Sequence, residues 1–212
     1  AVGGTPHAFS SGSFTEGRLA AKAACRYIDD GKAEGIKVSA KQINDLKEQV
    51  FKPMEHYKTY RNEIVAGEVN PHYINPRQGL DRLQKLMDEY VAGVATYYTT
   101  NAHMLAVAEE KLSDLKEDAL KMRAKDLHEL LRAWENYHRI FTAEAHMKHI
   151  QFREESRYPG FYYRMDKNFV DEENWKCFVN SVFDKETQTF NCFKRAHVDL
   201  VDKAKLFQSG GH

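Results

Sequence analysis

From Ser39 to about residue 152, apolar side chains recur at three- and four-residue spacing, the period of one helix face. That pattern restricts the fold more than any other feature. A first block carries Ile43, Leu46 and Val50 and, past Pro53, Met54 and Tyr57. Pro53 is expected to kink or restart this helix, because it has no N–H to donate and its ring presses on the preceding turn. Leu80, Leu83, Leu86, Met87, Tyr90 and Val91 mark a second helix, reached through a connector from Glu68 to Pro76 that contains Asn70-Pro71 and Asn75-Pro76. A third helix is expected over about 101–122 and a fourth over about 126–152. The fourth carries a stripe of Leu127, Leu130, Leu131, Trp134 and Tyr137, which should face a shared core.

The two ends read differently. Residues 1–13 are small and polar, a loop feeding an alanine-rich helix over about 14–30. Ser13 with Glu16 fits a capping box, and Gly31 supplies the stop. The opening Ala1-Val2-Gly3-Gly4 has no initiator methionine and reads as the middle of a glycine-rich loop, so the chain is expected to be a fragment. After Ser156 the texture turns aromatic, with Arg157-Tyr158-Pro159-Gly160-Phe161-Tyr162-Tyr163-Arg164 forming a surface or interface loop around a Pro-Gly turn, too apolar for free solvent. Trp175 to Phe183 and Thr189 to Arg195 are then aromatic and partly β-branched and are joined by the polar stretch Asp184 to Gln188, which reads as a β-hairpin. The expected fold class is mainly α, with a small β-hairpin near the end.

Composition narrows the function classes. Lys plus Arg and Asp plus Glu number 31 each, so no net field points to nucleic acid as a partner. No apolar run is long enough for a membrane span and no signal peptide opens the chain, so a cytoplasmic location is expected. Three scattered cysteines, Cys25, Cys177 and Cys192, make neither a disulfide framework nor a CxxC metal site. His146 and His149, with His138 upstream, share a helix, but no carboxylate or cysteine completes a ligand set, and no metal site is expected.

A glycine- and serine-rich loop that ends on a helix N-terminus offers free N–H groups and a positive dipole end to an anionic group. A capped helix start accounts for the same residues. The string Gly3-Gly4-Thr5-Pro6-His7-Ala8-Phe9-Ser10-Ser11-Gly12-Ser13-Phe14-Thr15-Glu16-Gly17-Arg18 resembles the end of the FAD-binding domain in adenylylsulfate reductase alpha subunits. Those belong to the fumarate reductase and succinate dehydrogenase flavoprotein superfamily. A second segment, Arg153-Glu154-Glu155-Ser156-Arg157 with Arg164, Asp166, Glu173 and Trp175, is similar to that superfamily's C-terminal signature. Its aromatic version, from Tyr158 to Arg164, resembles the adenylylsulfate reductases in particular.

The resemblance implies two parts: residues 1–32 as the last loop and helix of an FAD-binding domain, and residues 33–212 as a helical C-terminal domain. It implies FAD as cofactor, held mostly by a part of the subunit preceding Ala1, and reduction of adenosine 5'-phosphosulfate to sulfite and AMP. Ser11, Gly12, Ser13 and Phe14 would give backbone N–H groups to the flavin N1/O2 region, and His7 and Phe9 would line the substrate side. Each has a plainer alternative, His7 as a loop-bracing hydrogen bonder and Phe9 as a core aromatic. No catalytic residue is assigned within the chain. Electrons would come from a ferredoxin-like beta subunit carrying the iron–sulfur clusters. Two rivals remain: a dicarboxylate oxidoreductase of the same superfamily, against which stands Ser11 where such enzymes place a substrate-clamping arginine, and a non-catalytic helical interaction module.

Overall fold

In the computed structural model the described residues are 6–32, 35, 37–63, 65–67, 69–157 and 160–197, with the side chains of 6–11 outside that set. They fall into two units, Ala1–Glu48 and Gln49–His212, and the division lies inside a helix.

Helix α1 runs Pro6–Asp29 and helix α2 runs Ala40–Tyr60. The first is a correction: residues 6–13 are helical, not loop, and Ser13 lies inside the helix instead of capping it. Proline at the first helical position explains the earlier start, since its missing N–H is one that a helix leaves unbonded there anyway. The glycines at 12 and 17 each cost about 1 kcal/mol against alanine, too little to break a run otherwise rich in helix formers. Gly31 ends α1 as expected: its φ of +66° lets its N–H reach Ile28 O at 3.0 Å, while Lys32 N–H reaches Tyr27 O at 3.2 Å. Ser39 caps α2 reciprocally, its Oγ accepting from Gln42 N–H (3.2 Å) while Gln42 Oε1 accepts from Ser39 N–H (2.8 Å). No residue of α2 is buried.

Pro53 lies within α2 without ending it. Two carbonyls in this turn take partners from distant segments: the Trp134 indole N–H donates to Val50 O (2.9 Å) and Ala124 N–H donates to Pro53 O (2.9 Å). The irregularity is stabilised by long-range hydrogen bonds.

The core belongs to helices α3 (Pro76–Tyr90), α4 (Ala102–Ala119) and α5 (Leu127–Phe152). Each has a side-chain N-cap: Asn75 in a capping box with Gln78, Asn101 onto Met104 N–H, and Asp126 onto Glu129 N–H. Leu83, Leu86, Leu105, Ala108, Leu112, Leu115, Ile140, Ala143, Met147 and Ile150 interlock between them. The stripe expected to face this core is a second correction. Leu130 is buried, but Leu127, Leu131 and Tyr137 are exposed. The face α5 turns inward is Leu130, Ala133, Asn136, Ile140, Ala143, Glu144, Met147 and Ile150. Alanines bring the neighbouring backbones close. The buried polar pair is satisfied, Asn136 donating to Pro76 O at 2.5 Å and Glu144 accepting from Lys116 at 2.8 Å.

Two small sheets complete the chain. Strands β1 (Thr99–Thr100) and β2 (Tyr163–Arg164) form a short parallel ladder that the sequence reading did not anticipate. After a one-turn helix α6 (Glu172–Trp175), strands β3 (Cys177–Asp184) and β4 (Thr189–Ala196) form the expected antiparallel hairpin. Asp184 shapes its turn by accepting from Glu186 N–H at 2.8 Å and Thr187 N–H at 3.3 Å. Phe183 and Phe190 anchor the hairpin on Phe141 of α5, with ring centroids 4.7 Å away in each case.

Candidate functional site

Of the residues assigned to the flavin and substrate, Gly12, Ser13 and Phe14 are described in full, and the side chains of His7, Phe9 and Ser11 lie outside the described set. All of them stand on α1. A continuous helix engages the N–H groups of Ser11, Gly12, Ser13 and Phe14 with carbonyls four residues earlier, so in this structure they are not at a helix N-terminus. The surface they offer is open: Phe14 is 83% exposed, and a Cβ built on Gly12 or Gly17 meets no atom within 4 Å. Nothing in the described chain requires glycine at either position.

The C-terminal signature is brought together as a buried ionic cluster. Glu155, with no exposed surface, accepts from Arg153 Nη1 (2.5 Å), from Arg157 Nε and Nη2 (2.6 and 3.0 Å), and from the backbone N–H of Asp171 (2.8 Å). Arg153 also donates to the carbonyls of Trp175 and Cys177, and Arg157 to Glu172 at 2.8 Å. Arg164 grips Asp166 with two hydrogen bonds (2.9 and 2.7 Å). Its remaining nitrogen donates to the carbonyls of Ile150, Gln151 and Arg153, neutralising the C-terminal end of α5. Ser156 Oγ accepts from Arg164 N–H at 2.8 Å. Trp175 is stacked under the Lys194 ammonium, 3.6 Å from its ring centroid, with Phe152 against its edge.

The electrostatics follow. Burial pushes the Glu155 carboxyl up, but the hydrogen bonds from Arg157, Asp171 and Arg153 outweigh it and hold the group below the usual glutamate range. Arg164 does the same for Asp166, and Arg157 is held charged by Glu155. Three guanidinium groups meet Glu155, Asp166 and Glu172, and every arginine is engaged by carboxylates and carbonyls. Chemically the cluster is a staple joining the end of α5, β2, α6 and β3, not a receptor for an anion. Glu172 belongs to it and was not picked out in the sequence; Glu173, which was, does not enter the cluster. Only the acidic run Asp171-Glu172-Glu173 could have suggested it.

Other polar clusters carry less. Burial and the nearby Arg153 push the His149 imidazole below its usual pKa, and its Nε2 lies 2.9 Å from Ser181 Oγ. His138 packs near Trp134 and Tyr137. Among the described residues no group of three or more His, Cys, Asp or Glu could hold a metal ion. A groove of about 320 Å³ between α3 and α4 balances Arg82, Lys85 and Lys111 against Glu89, Asp114 and Asp118, which gives it no preference for either sign of charge. No described helix is long and apolar enough to cross a membrane.

No protein-family model matches the chain. It shares its fold with part of a chain of the Mycobacterium smegmatis Sdh1 complex in the apo form, with a TM-score of 0.56 and 18% identity over 87% of this chain and 30% of that one. At that identity the likeness concerns the fold alone. Adenylylsulfate reductase from the hyperthermophilic Archaeoglobus fulgidus superposes with a TM-score of 0.88 at 50% identity, covering 95% of this chain and 31% of that one. An adenosine-5-phosphosulfate reductase solved in complex with sulfite as a covalent adduct gives the same values. The alpha subunit of adenylylsulfate reductase from Megalodesulfovibrio gigas is 44% identical over 203 residues, 94% of this chain. The chain belongs to the family of adenylylsulfate reductase alpha subunits and spans about 30% of the length of that relative.

Proposed function

We propose that this chain is the C-terminal part of a flavoprotein subunit that interconverts adenosine 5'-phosphosulfate with sulfite and AMP. The observation that carries this reading is the match, at 50% identity and a TM-score of 0.88, to a reductase holding sulfite as a covalent adduct. The reaction consumes two electrons and breaks the bond between sulfur and the AMP phosphate oxygen. The flavin, once reduced, would supply those electrons and return to FAD, and the larger part of the subunit, outside this chain, would hold most of it.

This chain's own share is at α1. The backbone of Ser11, Gly12, Ser13 and Phe14 would approach the flavin N1/O2 region, where negative charge builds on reduction and N–H donors are most effective. That role requires the helix to begin at Ser13 in the assembled subunit, freeing the N–H groups that the present α1 uses internally. His7 and Phe9 would line the substrate side, Phe9 as a stacking face for adenine. A ferredoxin-like beta subunit with iron–sulfur clusters would deliver electrons, in the cytoplasm.

The test is AMP-dependent sulfite oxidation, with ferricyanide as acceptor, by the full-length subunit co-expressed with its ferredoxin-like partner. Activity requiring both AMP and sulfite is expected, with losses in His7→Ala and Phe9→Ala. Turnover of succinate or fumarate instead moves the protein to the dicarboxylate branch.

A further inference from the structure

The turn between α3 and β1 holds backbone strain that its own sequence does not call for. Ala92, Tyr97 and Tyr98 all adopt positive φ (57°, 51° and 61°), a region that residues with a Cβ avoid and bulky aromatics avoid most. The turn is also tightly closed: a Cβ at Gly93 would fall 2.2 Å from Asp88 Cα, so only glycine fits. A cage of hydrogen bonds maintains this geometry. Tyr98 N–H donates to Gly93 O (2.9 Å), Ala95 N–H to Asp88 Oδ1 (3.0 Å), Thr99 Oγ1 to Thr96 O (2.6 Å), and buried Thr100 Oγ1 to Tyr90 O (2.7 Å).

What the cage presents is an aromatic ring in solvent. Tyr97 is 85% exposed and Val94 beside it 69%. The β1–β2 ladder ties this turn to the aromatic loop, with Tyr163 N–H donating to Tyr98 O at 2.7 Å, and that loop presents Phe161, 78% exposed. Two loops separated by more than sixty residues in sequence are thus clamped together, each with a large apolar side chain turned outward. Folding of the described chain gains nothing from holding Tyr97 there.

We propose that the Tyr97 turn and Phe161 form one preorganised aromatic knob that docks onto the larger, flavin-binding part of the same subunit. This rests on the reading of the chain as part of a longer flavoprotein subunit. The choice of partner follows from two facts. The relatives with this fold are about three times as long, so most of the surface available to this domain is in its own polypeptide. A rigid, strained knob also suits a permanent contact, because its geometry is fixed before the partner arrives.

The experiment places a photo-crosslinking phenylalanine derivative at the position of Tyr97, and separately at that of Phe161, in the full-length subunit co-expressed with its ferredoxin-like partner. Cross-linked peptides are identified by mass spectrometry. Cross-links to peptides of the same polypeptide that precede Ala1 are expected. Cross-links to the partner subunit or to a second copy, or none at either position despite full incorporation, overturn the proposal. A second variant separates ring from backbone: Tyr97→Gly keeps the positive φ and removes the ring. It is expected to speed protease cleavage between the two parts of the subunit severalfold, and an unchanged rate counts against the knob. AMP-dependent sulfite oxidation by the wild-type protein is read independently, so failure of the functional reading and failure of the interface give different results.

Discussion

Helix α1 and the three-helix core are built from similar amounts of apolar residue, yet only the core buries them. Along α1 and the first half of α2, Phe14, Leu19, Tyr27, Ile28, Ile43 and Leu46 all stand exposed. Along α3, α4 and α5, Leu105, Leu112, Ile140 and Met147 are almost wholly enclosed. Apolar content therefore does not decide whether a helix is stable here; a neighbour does. Phe14, Leu19, Tyr27 and Ile28 are distributed around α1 and remain exposed, so this helix is one whose apolar side chains lack a covering neighbour within the described residues.

The comparison is sharpest where the described fold is most committed. Glu155 is enclosed with Arg153 and Arg157, and truncating it leaves two arginines short of a counter-charge in a buried site. Glu155→Ala should cost about 3–5 kcal/mol, measured by chemical unfolding. A loss under about 1 kcal/mol would mean the cluster is wetter than its geometry implies. The Phe152–Trp175 and Lys194–Trp175 contacts should loosen with it, visible as a red shift in Trp175 fluorescence once Trp134 is replaced.

Acid provides the next test. Glu155 and Asp166 are held below their ordinary values of 4.5 and 3.8, so between the folded and unfolded pKa the unfolded chain binds more protons. The stability they contribute is complete above pH 4.5 and is lost as pH falls through their folded values. Unfolding midpoints should therefore drop steeply below pH 4.5 and stay level from pH 6 to 8 as far as these groups are concerned. In Asp166→Asn the acid slope should be shallower; an unchanged slope would remove Asp166 from the account.

These contrasts bear on what could be read from the sequence. The five long helices and the hairpin were legible because their signals are local: periodic leucines, Asn75-Pro76 opening α3, Gly31 closing α1, an Asp-led polar turn between aromatic strands. The inward face of α5 was not. Leu127, Leu131, Trp134 and Tyr137 are the bulkier apolar residues, and periodicity favours them. The buried face instead uses Ala133, Asn136, Ala143 and Glu144, whose burial is made possible by Pro76 and Lys116, residues far away in sequence. The ionic cluster was legible as a set of residues through its resemblance to a family signature, but its pairing was not. Glu172 enters because α6 carries it back beside Arg157, and only the fold shows that. For the flavin segment the sequence offered a loop where the described chain has a helix, since Pro6 starts a helix as readily as it ends a loop.

A milder perturbation tests whether strain and satisfaction in the β1 turn are coupled. Thr100 has no exposed surface and its hydroxyl donates to Tyr90 O, the last residue of α3. Thr100→Val keeps the shape and strands that carbonyl, for an expected loss of about 1 kcal/mol in thermal unfolding. Thr100→Ser keeps the bond and should lose less. If the two variants were equal, packing of the methyl group rather than the hydrogen bond would hold the turn.

The smallest effect is the most instructive. Leu19 on α1 is 62% exposed, so in the present chain Leu19→Ala removes almost no buried surface and should change stability by less than about 0.5 kcal/mol. In the full-length subunit, where the proposed flavin-binding part covers α1, the same substitution should cost about 2–5 kcal/mol, the ordinary figure for a buried leucine. The difference between the two measurements reports burial contributed by sequence outside this chain, since nothing within it changes. A cost that stays below about 0.5 kcal/mol in both would show that Leu19 stays in solvent even in the complete subunit, and would count against placing Ser11 to Phe14 of the same helix against the flavin.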